Sequence, residues 1–178
     1  MNSNSKYIDN YNNCGRERIN PDFCRKEKKQ QGTIVKCSSP GSVIIPPLAD
    51  SGSTFTPASL TLNTDNICNP CTRIDFTSNI TAPIGFIGTL SFQVFKQCRN
   101  QFAPIPVGPA FTYARTIALV VGETNTFSFF ICDCDSCDDE CCTYTVVITN
   151  LGIVTLGATI NNATLSATTA SQVNNCNC

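Results

Sequence analysis

One eleven-residue stretch concentrates the side chains that could do chemistry. Residues 132–142, Cys-Asp-Cys-Asp-Ser-Cys-Asp-Asp-Glu-Cys-Cys, hold five of the thirteen cysteines and five acidic residues. Thiols at such spacings either pair as disulfides or, as thiolates, hold a metal ion. Most of the functional question depends on which of the two occurs. The five cysteines of this disulfide cluster are Cys132, Cys134, Cys137, Cys141 and Cys142.

The charge around the cluster favours disulfides over a metal site. Four or five thiolates beside five carboxylates would accumulate negative charge, with no nearby Lys or Arg to balance it. A zinc ribbon needs two well-separated C-x-x-C pairs, and the best candidates are Cys68 with Cys71 and Cys134 with Cys137. We therefore expect no metal and no other cofactor, and a thiolate metal-binding protein remains an alternative hypothesis.

The absence of histidine narrows the function further. Without His the chain has no imidazole base, no His-activated nucleophile and no His-ligated zinc. The Cys68-Asn-Pro-Cys71 segment has the spacing of a redox motif, but no βαβ pattern surrounds it. The sequence shows no paired-carboxylate site, phosphate loop or nucleophile elbow. We expect no catalytic residue and no enzymatic activity.

The cysteine content indicates an oxidising environment. Thirteen cysteines in 178 residues approach the density of a disulfide scaffold, and the odd count leaves one thiol free or bonded to another chain. The N-terminal residues lack the apolar segment of a cleavable signal peptide, and no apolar run approaches the ~20 residues that span a bilayer. We expect a spore-surface or extracellular location and no membrane insertion. Further disulfide candidates are Cys37, Cys68, Cys71 and Cys98.

Residues 1–31 differ from the rest of the chain and predict a flexible connector arm. They carry seven basic and four acidic residues, a net charge of +3, whereas the remainder carries −4. Apolar residues are too few for this segment to fold alone. The basic run Arg25–Lys29 is short and lacks interleaved aromatics, so we expect no nucleic-acid partner. Candidates for disulfides between subunits are Cys14 and Cys24 in the arm and Cys176 and Cys178 in the C-terminal tail, residues 171–178.

Residues 32–170 predict a single β domain. Apolar and polar residues alternate with period two, as in Gly88–Lys96, where Leu90, Phe92 and Val94 share one face. Three prolines in residues 103–109 exclude a helix and a central strand there. A turn is expected at Gly157 or at Asn161-Asn162. Eight to ten short strands without helical periodicity predict an all-β, jelly-roll-like antiparallel β-sandwich.

Three segments carry a resemblance to a known family. Residues 127–147, with 105–109 upstream and 160–167 downstream, resemble an uncharacterised cysteine-rich family of clostridial spore-formers, a domain of unknown function. That resemblance implies no activity and transfers no catalytic residue. In build, the chain is also similar to subunits of endospore appendages, which are jelly rolls whose cysteine-bearing N-terminal connectors link stacked subunits through disulfides.

These observations predict a structural protein whose partner is itself. The expected product is a disulfide-cross-linked, pilus-like fibre of the endospore appendage type, or a spore-coat layer, joined through the arm. A second alternative, besides metal binding, is a β-sandwich module that binds a ligand such as carbohydrate. The chain has no Trp from which a flat sugar-binding platform could be built.

Overall fold

The computed structural model describes residues 32–65, 67, 69–99, 101–117, 120–134, 141–152 and 154–171. Nine strands and no helix occur in these ranges, so no helix there could cross a membrane. The predicted arm and the tail after Ser171 lie outside them, as do Cys14, Cys24, Cys68, Cys137, Cys176 and Cys178. The strands are β1 Thr33–Cys37, β2 Gly41–Ile45, β3 Thr54–Asn63, β4 Pro70–Ala82, β5 Gly88–Cys98, β6 Ile105–Arg115, β7 Glu123–Asp133, β8 Cys141–Asn150 and β9 Ala158–Ser171.

The strands form two antiparallel sheets that face each other. Sheet A has the order β1-β9-β4-β7, and β2 also pairs with β9 beyond the end of β1. Sheet B has the order β3-β8-β5-β6. If β1 and β2 count as one interrupted strand, this is the eight-stranded order of a jelly roll. The predicted all-β sandwich is therefore confirmed.

Alternating side chains from the two sheets form a phenylalanine-rich core. In β4, Ile74, Phe76 and Ile80 are fully buried, and in β5 Phe92 is as well. The rings of Phe76 and Phe92 meet across the sandwich with centroids 5.9 Å apart. At the side where β6 faces β7, Phe111 stacks on Phe129 at 4.3 Å. Offset aromatic pairs of this kind add to the free energy gained from burial alone.

Prolines lie on both edges of sheet B. The edge strand β6 contains Pro106 and Pro109, and the edge strand β3 contains Pro57. Proline has no N–H to offer a further strand, so it discourages pairing with another chain at an edge. The predicted exclusion of a central strand from residues 103–109 agrees with this position of β6.

The antiparallel arrangement gives the sandwich two different ends. The cysteine pole is formed by the last residues of β3, β5, β7 and β9 and the first residues of β1, β4, β6 and β8. There Asn63 pairs with Cys141, Thr33 with Ala170 and Pro70 with Ser171. The described part of the chain therefore begins and ends at this pole. The apolar pole is the opposite end, formed by the described residues of four connections, namely 46–53, 83–87, 116–117 with 120–122, and 151–152 with 154–157.

Candidate functional site

The strand register brings cysteines together at the cysteine pole. In sheet B, Cys98 of β5 is the register partner of Cys142 of β8, and the two form a disulfide. In sheet A, a second disulfide joins Cys71 of β4 to Cys134, which follows β7. Each sheet thus has its own covalent cross-link at the same end of the molecule. The sequence placed all four residues among the disulfide candidates but could not pair them.

The adjacent residues Cys141 and Cys142 serve different partners. Cys142 pairs with Cys98, and Cys141 is disulfide-bonded as well. Neighbouring residues of a strand point to opposite faces, so two consecutive half-cystines can reach in two directions. The disulfides indicate an oxidising environment for the protein.

Two candidates, Cys37 and Cys132, carry free and exposed thiols. Both were expected among the disulfide candidates, and Cys132 within the cluster. Each lies on an outward sheet face opposite a residue that cannot form a disulfide. Cys37 of β1 faces Ser166 of β9, and Cys132 of β7 faces Arg73 of β4. The structure therefore places two thiols where another molecule can reach them.

A buried ion pair joins the two sheets at the same pole. The Nζ atom of Lys96 in β5 lies 3.0 Å from Oδ2 of Asp133 in β7, and the exposed fractions of these side chains are 4% and 9%. The hydroxyl of Tyr144, the register partner of Lys96 in β8, donates a hydrogen bond of 2.6 Å to the same carboxylate oxygen. One carboxylate of sheet A thus accepts contacts from two neighbouring strands of sheet B.

Sequence reasoning missed this ion pair, although a signal was present. From the sequence, Asp133 was considered only as one of the five acidic residues among the cysteines of 132–142. Lys96, however, continues the period-two run of inward residues Leu90, Phe92 and Val94, and Asp133 continues that of β7. A charged residue in phase with a buried face predicts a buried partner on the opposite sheet.

The metal hypothesis depends on whether the cysteine sulfurs are thiolates or are bonded in disulfides. Cys71, Cys98, Cys134, Cys141 and Cys142 are in disulfides, and a disulfide sulfur is not a thiolate ligand. Within the described ranges, no three or more Cys, Asp or Glu side chains are grouped as metal ligands would be. That the protein holds no metal stays a prediction, to be checked by metal analysis of the purified chain.

The opposite end of the molecule exposes large apolar side chains. Across residues 46–53, 83–87, 116–122 and 151–157 the sequence has one charged residue, Asp50. One of these connections, residues 46–53, is held by Asn150, which donates hydrogen bonds to the carbonyls of Ala49 and Asp50, at 2.8 and 3.0 Å. The exposed side chains are Leu48, Ile84, Ile117, Val120, Val121, Leu151 and Leu156.

Comparison with known families and structures gives a family but no activity. The family model of a domain of unknown function, DUF4489, matches residues 31–170. The chain belongs to this family. The match agrees with the expected resemblance to an uncharacterised family. No curated protein matches the chain.

Solved structures are similar to this chain at low identity. The VP2 subviral particle of infectious bursal disease virus is 13% identical, with a TM-score of 0.50 over 76% of this chain and 32% of that one. The Eiger TNF of S. frugiperda is 7% identical, with a TM-score of 0.45 over 82% of this chain and 98% of that one. The chain spans about a third of the viral protein. At this identity the likeness shows the fold alone.

Replacing both Cys98 and Cys142 with Ala is expected to lower the free energy of unfolding by about 2–4 kcal/mol. The disulfide joins residues 44 positions apart, and its loss frees a long loop in the unfolded chain. Urea denaturation of the oxidised protein measures the change, with circular dichroism to verify the β fold. The control, Cys37→Ala, removes an exposed free thiol and should cost less than about 0.5 kcal/mol. Equal stability of the two variants would contradict the prediction.

Proposed function

We propose that the protein is a structural subunit that assembles with copies of itself into a disulfide-cross-linked fibre. Such a fibre is an endospore appendage or pilus-like filament, or the subunit forms a layer of the spore coat. The observation that carries the proposal is the two-ended build of the sandwich. One end holds six of the seven described cysteines, all except Cys37, and both ends of the described chain, and the other exposes apolar side chains.

The apolar pole supports docking of a second copy. Large apolar side chains exposed together at one end favour association there, and part of this end is held by hydrogen bonds. At the cysteine pole, Phe102 is fully exposed and Ile105 is 46% exposed, which offers apolar side chains to such a contact. A contact between the cysteine pole of one copy and the apolar pole of the next joins two different surfaces. A contact between unlike surfaces repeats without closing unless the rotation returns on itself.

The places where the described chain begins and ends favour the same arrangement. Residues 1–31 join the body before Thr33 and residues 172–178 leave it after Ser171, both at the cysteine pole. Fully extended, 31 residues could span ~100 Å, whereas the fourteen residues of β9 span roughly 46 Å. An arm of that length can cross a neighbouring body in the stack. Its charge of +3 against −4 for the rest contributes an attraction that weakens with salt.

In this proposal, disulfides between subunits form at cysteines that are exposed in the fold. Cys37 and Cys132 are exposed free thiols on the body. The proposed bonds join Cys14 or Cys24 in the arm of one copy to these thiols, or to Cys176 or Cys178, of the next copy. One thiol from each copy is oxidised by dioxygen, which takes up the two electrons and two protons as hydrogen peroxide, and the resulting disulfide joins the two chains.

Deleting residues 1–31, or changing Cys14 and Cys24 to Ser, is expected to abolish the fibres and the high-mass ladder on non-reducing gels. Negative-stain microscopy of the same samples shows whether fibres form. The control, Ser3→Ala with Ser5→Ala, alters the arm but keeps its cysteines, and should assemble like the unchanged protein. If fibres and ladder persist in both the deletion and the cysteine variant, the arm does not couple subunits.

A further inference from the structure

Three cysteines share the outward face of sheet A at the cysteine pole. The register pairs Thr72 with Asp133 and Arg73 with Cys132, and the disulfide joins Cys71 to Cys134. Side chains alternate along a strand, so Cys132 and Cys134 project from the same face while the intervening Asp133 is buried. A free, exposed thiol therefore lies beside a partly exposed disulfide on one surface.

The spacing places Cys134 within reach of Cys132. Two residues of a strand rise about 6.6 Å, which lies within the roughly 4.4–6.8 Å between the Cα atoms of disulfide-bonded residues. Cys71 lies diagonally across the strand pair from Cys132, where Cα atoms are about 7–8 Å apart. Cys134 follows the last residue of β7, so it can move without breaking strand pairing there. It is the nearer target for the thiol.

A guanidinium group lies on the same surface. Arg73 is the register partner of Cys132, stacks on the ring of Phe130 at 4.5 Å and hydrogen-bonds to Asp75 at 2.8 Å. The hydrogen bond to Asp75 is the largest cause that raises the pKa of Arg73, and Cys132 contributes in the same direction. The positive charge is thus within electrostatic reach of the sulfur.

We propose that Cys132, Cys134 and Cys71 form a thiol–disulfide exchange site. The Cys132 thiol gives its proton to solvent, and its sulfur attacks Sγ of Cys134. A Cys132–Cys134 bond forms as the Cys71–Cys134 bond breaks, and Cys71 leaves as a thiolate that takes a proton from solvent. One thiol and one disulfide are present before and after, so the step needs no oxidant or reductant.

The exchange moves the reactive thiol from β7 to β4, and the same disulfide can accept a thiolate from outside. A thiolate of a second copy that attacks Cys134 joins the two chains and releases Cys71. This intermolecular use rests on the proposed function, whereas the exchange within one chain does not.

Thiol mapping of the full-length monomer tests the exchange. The protein is kept without oxygen at about pH 8.5, where an ordinary thiol is half ionised, then acidified to stop the reaction. Free thiols are blocked with N-ethylmaleimide in acidic denaturant and located by tandem mass spectrometry. Of the label found on Cys71 and Cys132 together, we expect at least about a tenth on Cys71. This fraction corresponds to a free energy of exchange within about 1.4 kcal/mol of zero.

The variant Cys132→Ser should lower labelling of Cys71 at least about tenfold, because the attacking sulfur is gone. Its matched control is Cys37→Ser, which removes the other free thiol of the described residues and should leave Cys71 labelling unchanged. Equal labelling of Cys71 with and without Cys132, or none in either, overturns the proposal. Exchange without fibres or ladder would instead refute the proposed function, and fibres without Cys71 labelling would refute only the exchange.

Discussion

Replacing Asp133 with Ala is expected to lower the free energy of unfolding by about 3–5 kcal/mol. The substitution removes the carboxylate that lies 3.0 Å from the Lys96 ammonium and accepts the hydrogen bond of the Tyr144 hydroxyl. Both donors stay in the interior, where water cannot replace the lost contact at low cost. Chemical denaturation of the oxidised chain measures the change.

Two further variants test whether the loss of stability comes from the burial of the ion pair or from the loss of any ion pair. Asp75→Ala breaks an ion pair with Arg73 in the same sheet, but those side chains are 39% and 55% exposed, so the cost should be below about 1 kcal/mol. The triple variant Lys96→Met, Asp133→Leu and Tyr144→Phe replaces the ion pair and its hydroxyl donor with apolar groups and should be near neutral. If Asp133→Ala and Asp75→Ala cost the same, the carboxylate of Asp133 is not the buried link between the sheets.

Introducing lysine at the apolar pole is expected to prevent assembly without unfolding the subunit. Val121→Lys removes an apolar side chain from the proposed contact and forces an ammonium group to lose water when copies dock. Each 1.4 kcal/mol of lost contact energy raises the required concentration tenfold, so we expect about tenfold for Val121→Lys and about 100-fold when Ile84→Lys is added. Light scattering against protein concentration measures the threshold for assembly.

The chain offers a closely matched control for this experiment. Val35 on the outward face of β1 is 68% exposed, the same fraction as Val121, but lies away from the apolar pole. Val35→Lys therefore adds the same charge at the same exposure and should leave the threshold within about twofold. If Val35→Lys and Val121→Lys raise the threshold equally, charge rather than the apolar pole controls assembly.

Local alternation predicted the strands, whereas long-range register could not be predicted. The inward run Leu90, Phe92 and Val94 is visible in the sequence because its period is two. The pairing of Cys98 with Cys142 depends on which strands become neighbours. The residues around each cysteine do not indicate which strands those are. The same limit hid the contact between Lys96 and Asp133.

One of two alternative turn signals near β9 was misleading. A turn was expected at Gly157 or at Asn161-Asn162; Gly157 lies in the connection between β8 and β9, whereas both asparagines lie within β9, Ala158–Ser171. Asn162 does adopt a left-handed φ of 53°, and the register between β4 and β9 shifts beside it. The chain does not reverse at Asn162, and pairing with β4 accommodates its left-handed conformation as a strand irregularity.

The antiparallel pairing of β1 with β9 has a mechanical consequence. In a fibre held at the apolar pole of each subunit, tension on the arm would pull β1 along its own axis, away from the body. The five register pairs between Thr33–Cys37 and Ser166–Ala170 would then be loaded together, in shear, and would not open one after another. Shear across several pairs resists force better than sequential peeling, because every hydrogen bond must stretch at once. The strand that enters the domain is thus oriented to bear load.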